Sequence, residues 1–251
     1  MRKLVQATLT LSGMIIGAGM FGIPFSFARA GFWLGTLELI MLAGVTLVFH
    51  LFYADIILKT PQSHRLPGYI HEYLGKKSYK IAWISAVFGL TGGLLAYLIL
   101  GSTFLNNLLP NFWTGAPAVF VDDINQFFWV VFLVIAGAAI TRFSLKKESF
   151  INGILTVFLV GFVLYLIANL FPGIKTANLS GFYPEEIFLP YGVLLFALAG
   201  GIVIPEVAII TDKNKKLTRL ATVIGTLLPA LIYFLFALAV VGVSGSAVSQ
   251  E

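Results

Sequence analysis

The sequence predicts an all-α polytopic membrane protein in which two of seven spanning helices are broken at matching points of inverted halves. Three observations carry that expectation: apolar segments long enough to cross a bilayer, basic residues confined to alternate connections, and a glycine and proline pattern that occurs twice. The chain is 59% hydrophobic and 11% charged, with a mean hydropathy of +0.95, whereas soluble domains carry roughly 25% charged residues. With no cysteine among 251 residues, a disulfide framework, a thiolate metal site and a cysteine nucleophile are excluded. The net charge of +5 does not mark a nucleic-acid binder, because the charges lie between the apolar segments.

A helical span takes roughly 20 apolar residues, and seven segments qualify, at about 4–28, 31–57, 81–109, 126–142, 150–170, 187–211 and 217–244. The first contains "IGAGMFGIP", Ile16 to Pro24. Its basic start and the "ARA" at Ala28 to Ala30 imitate a cleaved signal peptide, but the apolar run is too long and a second span begins at once at Gly31. In that second span Glu38 shares a helical stripe with Gly31 and Gly35, while His50 and Asp55 approach the inner end and read as interfacial. The connection after it, with "PGYIHEYLG", reads as a short interfacial helix carrying Tyr69 and Tyr73 on one face. The third span has a small-residue face of Ser85, Gly89, Gly92 and Ala96, with Tyr97 near its centre as a candidate pocket wall. The fifth, "FINGILTVFLVGFVLYLIANL", has no ionisable residue, and the sixth contains "FALAGGIVIPEV".

Basic residues set the orientation. Arg2, Lys3, Lys59, Arg65, Lys76, Lys77, Lys80, Arg142, Lys146, Lys147, Lys213, Lys215, Lys216 and Arg219 fall on one side, 14 of the 16 Lys and Arg. Only Arg29 and Lys175 fall on the other, where the third connection, "LPNFWTGAPAVFVDDINQ", carries two aspartates and no base. By the positive-inside rule the N-terminus is cytoplasmic and the last residues of the chain lie outside.

Glycine and proline are poor helix formers, by about 1 and 3 kcal/mol relative to alanine. In lipid, a broken helix persists only where its freed backbone groups are buried in protein or face a water-filled cavity. Gly13 and Gly17 also fit a helix contact of the G-x-x-x-G kind. The pattern recurs, however: "GMFGIP" overlays "GGIVIP" at an offset of 181 residues, matching the first Gly, the Ile and the Pro. The two helices run in opposite directions, and paired broken helices in inverted halves point to a midplane substrate site. Half-helix N-termini suit a carboxylate, and freed carbonyls suit an ammonium group or Na⁺. One ligand with both charges at short range is an α-amino acid.

"IGAGMFGIP", "HRLPGYIHEYLG" (His64 to Gly75) and "FALAGGIVIPEV" resemble bacterial amino acid permeases of the amino acid/polyamine/organocation superfamily, in particular the aromatic (tryptophan/tyrosine) permease branch. The resemblance implies a leucine-transporter-like fold of five plus five inverted helices and alternating access. Carried over by position, Gly17, Ala18 and Gly19 would meet the substrate carboxylate, while Ile16, Phe196, Ala197 and Ala199 would offer carbonyls to its amine. Phe196 resembles an aromatic gate, and Met20 and Gly200 adjoin the same set.

Glu38 and Glu206 are the coupling candidates, since intramembrane acids face packed protein or a cavity; for Glu38 a structural hydrogen bond fits equally well, and Glu206 also lies near the inner interface. Neither H⁺ nor Na⁺ is selected by the residues, and no resident cofactor or metal is expected. A retinal protein would need an intramembrane lysine and an intramembrane enzyme a nucleophile and base or an H-E-x-x-H helix; the chain has neither. A channel remains the alternative class. The expected partners are an amino acid and the lipid of a prokaryotic inner membrane, with no nucleic acid and no oligomeric state implied. The first repeat is expected at 1–170 and the start of the second at 171–251. On inverted-repeat logic the second would end about 100 residues beyond Glu251, so the chain is expected to be a truncated carrier, a fragment that does not transport alone, an oligomeric half-carrier being the other reading.

Overall fold

The structure, a computed structural model, describes residues 1–109, 121–140, 142 and 145–248, with side chains at all of these except 121–123 and 145–153. Most of the acidic third connection therefore lies outside the described residues, as do the side chains of Lys146 and Lys147. Among the described residues there are nine α-helices and no strand: α1 Arg2–Ile15, α2 Gly22–Ala30, α3 Phe32–Lys59, α4 Leu66–Leu108, α5 Val121–Ile140, α6 Leu145–Leu170, α7 Leu189–Ala197, α8 Ile204–Ile210 and α9 Lys215–Ser244. Five stretches are long and apolar enough to cross a membrane, or six when α1 and Ala18–Ala30 are taken as one bent span. The expected fourth span corresponds to the shorter apolar helix Ile124–Ile140. The whole of α5, Val121–Ile140, is 20 residues long, about the length that a bilayer asks for.

The expected third span begins earlier than its apolar run. The short helix of "PGYIHEYLG" joins it at Gly75, whose φ of 77° and ψ of −177° are not helical. Glycine alone adopts that backbone without a Cβ clash, so α4 is two helices meeting at a kink. Tyr69 is buried and Tyr73 exposed, so the two do not share one environment as their spacing suggested.

The chain forms two compact units, Met1–Tyr69 with Gly153–Glu251, and Ile70–Asn152. In the smaller unit, a Cβ on Gly101 of α4 would lie 2.9 Å from Leu133 of α5, and Gln126 Nε2 donates to Thr103 Oγ1 at 3.4 Å. The larger unit is built on α9, along which α1 and α3 pack. Small residues permit that closeness, as lipid-embedded helices gain from close backbone packing: a Cβ on Gly225 would lie 2.9 Å from Leu11 Cβ. Pro229 lacks the N–H that would serve the carbonyl of Gly225 one turn back. Ser12 Oγ of α1 donates to that carbonyl instead, at 3.2 Å.

Polar ties gather at the two ends of this unit. At the basic end Lys3 pairs with Asp212, Arg219 with Asp55 and Arg65 with Glu206, both at 3.2 Å. There Lys213 Nζ also donates to the carbonyls of Thr60 and Pro61, at 3.0 and 3.1 Å. At the opposite end the Tyr183 N–H reaches the carbonyl of Ala30 at 3.1 Å, and Asn178 Nδ2 donates to Gly242 and Val243.

Candidate functional site

The first break begins where α1 stops. Ile16 (φ −74°, ψ 98°) and Gly17 (φ −147°, ψ −159°) are extended, a 3-10 turn spans Ala18–Phe21, and α2 follows at a bend of 57°. The second break lies between α7 and α8. Leu198 caps α7, Gly200 (φ −135°, ψ −2°) leaves helical geometry, and a 3-10 turn spans Gly201–Val203.

The prolines do not make these breaks. Pro24 is the third residue of α2 and Pro205 the second of α8, positions in the first turn where the missing N–H has no helical partner to lose. Each proline starts a half-helix that the preceding glycines have already separated from its neighbour. The carbonyls released are correspondingly those of Ile15 and Ala197, the last residues of α1 and α7.

Those two chain ends meet. A Cβ on Gly19 would lie 2.8 Å from Ala197 Cα and 2.9 Å from Phe196 Cδ1, and one on Gly200 would lie 2.4 Å from Ile15 Cγ1. No side chain fits at either place, so the breaks are pressed together through their glycines. Above the junction stands Tyr233 of α9, whose ring is fully buried. Its hydroxyl lies 2.6 Å from the carbonyl oxygen of Ile15 and 3.1 Å from that of Ala197. One phenolic proton thus faces two acceptors, one from each broken helix.

The expected site residues fall as follows. Ile16, Ala197 and Gly200 are buried, Gly17, Ala18 and Gly19 half-buried, and Phe196 and Ala199 exposed. Met20 is fully buried within the core, so its contribution there is packing. Ile16, Gly17, Ala18, Gly19, Phe196, Ala197, Ala199 and Gly200 are thus brought to one junction. Tyr97 lies on α4 in the other unit. Glu38 has one carboxyl oxygen, Oε2, buried with no hydrogen-bond partner among the described residues. Glu206 is held by Arg65 at the basic end.

Two residues change their reading. His50, expected at the interface, is buried, with its Nδ1 3.0 Å from Thr226 Oγ1 of α9. Its ring edge is 3.6 Å from where a Cβ on Gly201 would stand, beside the second break. Tyr233 was not singled out by the sequence. Its one available signal is that it is the only tyrosine of α9, in a stretch otherwise apolar from Leu227 to Val243.

The described residues thus form an all-helical membrane protein in which two interrupted helices abut through glycine. The chain belongs to the Tryptophan/tyrosine permease family, whose family model matches residues 1–250. It is similar to Glutamine transporter 2 of Aliivibrio fischeri, 24% identical over 244 residues that cover 96% of this chain and 61% of that protein. It is also similar to two Haemophilus influenzae proteins, Tyrosine-specific transport system 1 (27% over 245 residues, 96% of this chain and 58% of that one) and Tryptophan-specific transport protein (28% over 249 residues, 96% and 59%). The chain spans about three fifths of the length of these relatives. Family and relatives are transport proteins rather than enzymes, and with its apolar helices the chain is a multi-pass protein of the inner membrane.

Proposed function

We propose that the chain forms the substrate-holding part of a secondary amino acid permease that works by alternating access, the ligand sitting where the two breaks meet. The observation that carries this reading is the convergence of the Ile15 and Ala197 carbonyls on one phenol. Two acceptors with one proton between them favour a ligand that brings hydrogen-bond donors and positive charge, as an α-ammonium group does. The turn at Gly17, Ala18 and Gly19, leading into α2, supplies N–H groups at a half-helix start, which suits the carboxylate. Ile16, Phe196, Ala197, Ala199 and Gly200 complete the site, with Met20 behind it and Phe196 as its aromatic cover.

In the same reading seven spans are crossed, the first repeat occupies 1–170 and the second begins in 171–251, inverted with respect to the first. The N-terminus is cytoplasmic and the last residues of this chain lie outside, consistent with the basic residues tied together at one end. Transport is coupled to H⁺ or Na⁺, with Glu38 and Glu206 as candidate coupling groups. Substrates are amino acids of the aromatic or glutamine type, after the names of the relatives.

The test is reconstitution of the chain into liposomes, with uptake and equilibrium binding of labelled tryptophan, tyrosine and glutamine followed in parallel. Saturable binding of at least one, competed by excess unlabelled amino acid, is expected. Absence of competed binding for all three would contradict the reading.

A further inference from the structure

Buried polar side chains are unfavourable in a membrane protein and mark functional paths; in the larger unit several of them lie in one seam. Thr211, Thr218, Thr222 and Thr226, His50 of α3 and Ser12 of α1 are all buried. The seam starts at the basic end, where Asn214 caps α9 and Thr211 Oγ1 meets Thr218 Oγ1 at 2.6 Å. It climbs α9 one turn at a time and ends at the second break, where His50 faces Thr226 and Gly201. One turn below Ser12, Thr8 Oγ1 is buried without a hydrogen-bond partner among the described residues.

One hydroxyl departs from the rule the others follow. Thr218 donates to the carbonyl of Asn214 and Thr222 to that of Thr218, each four residues back and at 2.9 Å. Thr226 is paired instead with His50 Nδ1, although the carbonyl of Thr222 stands in the equivalent place. Its hydroxyl therefore has two orientations: toward the imidazole, or back along the helix like its neighbours.

We propose that His50 is the proton-binding residue of this carrier, with Thr226 as the rotor that lets the imidazole exist in both charge states. With the ring neutral at Nδ1, the Thr226 hydroxyl donates to it. When a proton from the aqueous phase at the basic end adds to that nitrogen, the Nδ1–H becomes the donor. Thr226 Oγ1 then accepts, and its own proton turns to the carbonyl of Thr222. No covalent bond other than the new N–H is made, and release reverses both moves. The charge so created stands beside the second break, and across the junction it draws the carboxylate held at the Gly17–Gly19 turn, so proton and amino acid bind cooperatively. The reciprocity is thermodynamic: each raises the affinity for the other by the same factor.

Charged and titratable groups on the elements around His50 are few. Its own helix carries Glu38, Tyr53, Asp55 and Lys59, and α9 carries Lys215, Lys216, Arg219 and Tyr233. On α8 there is Glu206, on α7 Tyr191 and on α2 Arg29. Asp55 is paired with Arg219 and Glu206 with Arg65, so the acids nearest the seam's entrance already have partners.

The inference rests on the amino acid permease reading, and two measurements separate their failures. The chain has three histidines; in liposome-embedded His64→Gln/His71→Gln protein the one remaining imidazole is followed by NMR between about pH 4 and 9, a span that covers ordinary and lowered histidine titrations. Titration is expected, with a midpoint that moves when Thr226→Val removes the rotor and moves upward when tyrosine is added. An imidazole that stays neutral throughout, or whose midpoint ignores Thr226→Val, overturns the proposal whether or not any amino acid binds. In parallel, binding of labelled tyrosine, tryptophan and glutamine to the native chain is expected to strengthen as pH falls, by up to about tenfold per pH unit for one linked proton. His50→Gln, which keeps a hydrogen bond to Thr226 but cannot titrate, should flatten that dependence to within about twofold. An unchanged slope in His50→Gln overturns the proposal, whereas no binding of any of the three at any pH strikes the permease reading itself.

Discussion

The two breaks share a sequence signature and differ in what surrounds them. The first turns its span by 57° and is met by the backbone of its counterpart, Phe196 and the Tyr233 hydroxyl. The second leaves α7 and α8 within one 27-residue apolar stretch, and has a histidine and a threonine hydroxyl against its glycines. Backbone alone serves a ligand group that needs dipoles, while an adjacent imidazole adds a group that changes charge. One interruption is thus suited to hold and the other to respond, although a glycine-proline pattern alone does not distinguish them.

The largest test of the shared junction is Gly19→Leu. Its Cβ would stand 2.8 Å from the Ala197 main chain, so the helices must separate. A loss of about 1–3 kcal/mol or more is expected from such overpacking, together with loss of amino acid binding. Gly44→Leu, where a Cβ meets nothing within 4 Å, should unfold thermally like the native chain in the same detergent. Equal behaviour of the two variants would remove the junction from the account.

Tyr233→Phe removes the one donor shared by both breaks and leaves the carbonyls of Ile15 and Ala197 without it. A destabilisation of about 1–3 kcal/mol is expected for buried acceptors left unserved, read as a lower unfolding midpoint. An unchanged midpoint would mean that the breaks hold together by packing alone.

Pro205→Ala should be milder, at less than about 1 kcal/mol, because a first-turn proline contributes pre-organisation rather than a break. If instead α7 and α8 fused into one helix, seen as a gain in helical circular dichroism, the proline and not the glycines would be the cause of the interruption. Smallest of all is Arg219→Ala at the basic end. Its side chain and that of Asp55 are 47% and 28% exposed, and exposed pairs are worth about 0–1 kcal/mol, less in high salt. A larger, salt-independent loss would show that the end ties, rather than the junction, hold the unit together.

Much of the fold was legible because lipid leaves few options. Apolar length announced the helices, and the glycines located the breaks, which fall at Ile16–Gly17 and Leu198–Gly200. What the pattern leaves open is local: Pro24 and Pro205 sit in the first turn of the following half-helix, so the glycines rather than the prolines separate the halves. The rest was not local at all. Tyr233 reaches carbonyls 218 and 36 residues away in sequence, and His50 reaches a hydroxyl 176 residues away. No spacing rule connects such positions. They could be found only when α9 was laid against α1, α3 and α7.

The central claim, that the meeting breaks are the amino acid site, is tested most directly by protection of a single thiol. The chain has no cysteine, and Ala199 is an exposed residue inside the second break. Ala199→Cys in liposomes is treated with a small water-soluble maleimide with and without tryptophan, tyrosine or glutamine, beside Lys175→Cys as a reference. The account predicts that at least one amino acid slows modification at Ala199→Cys, in a saturable way, and leaves the rate at Lys175→Cys unchanged. An amino acid that binds the chain saturably yet leaves the rate at Ala199→Cys untouched would contradict it.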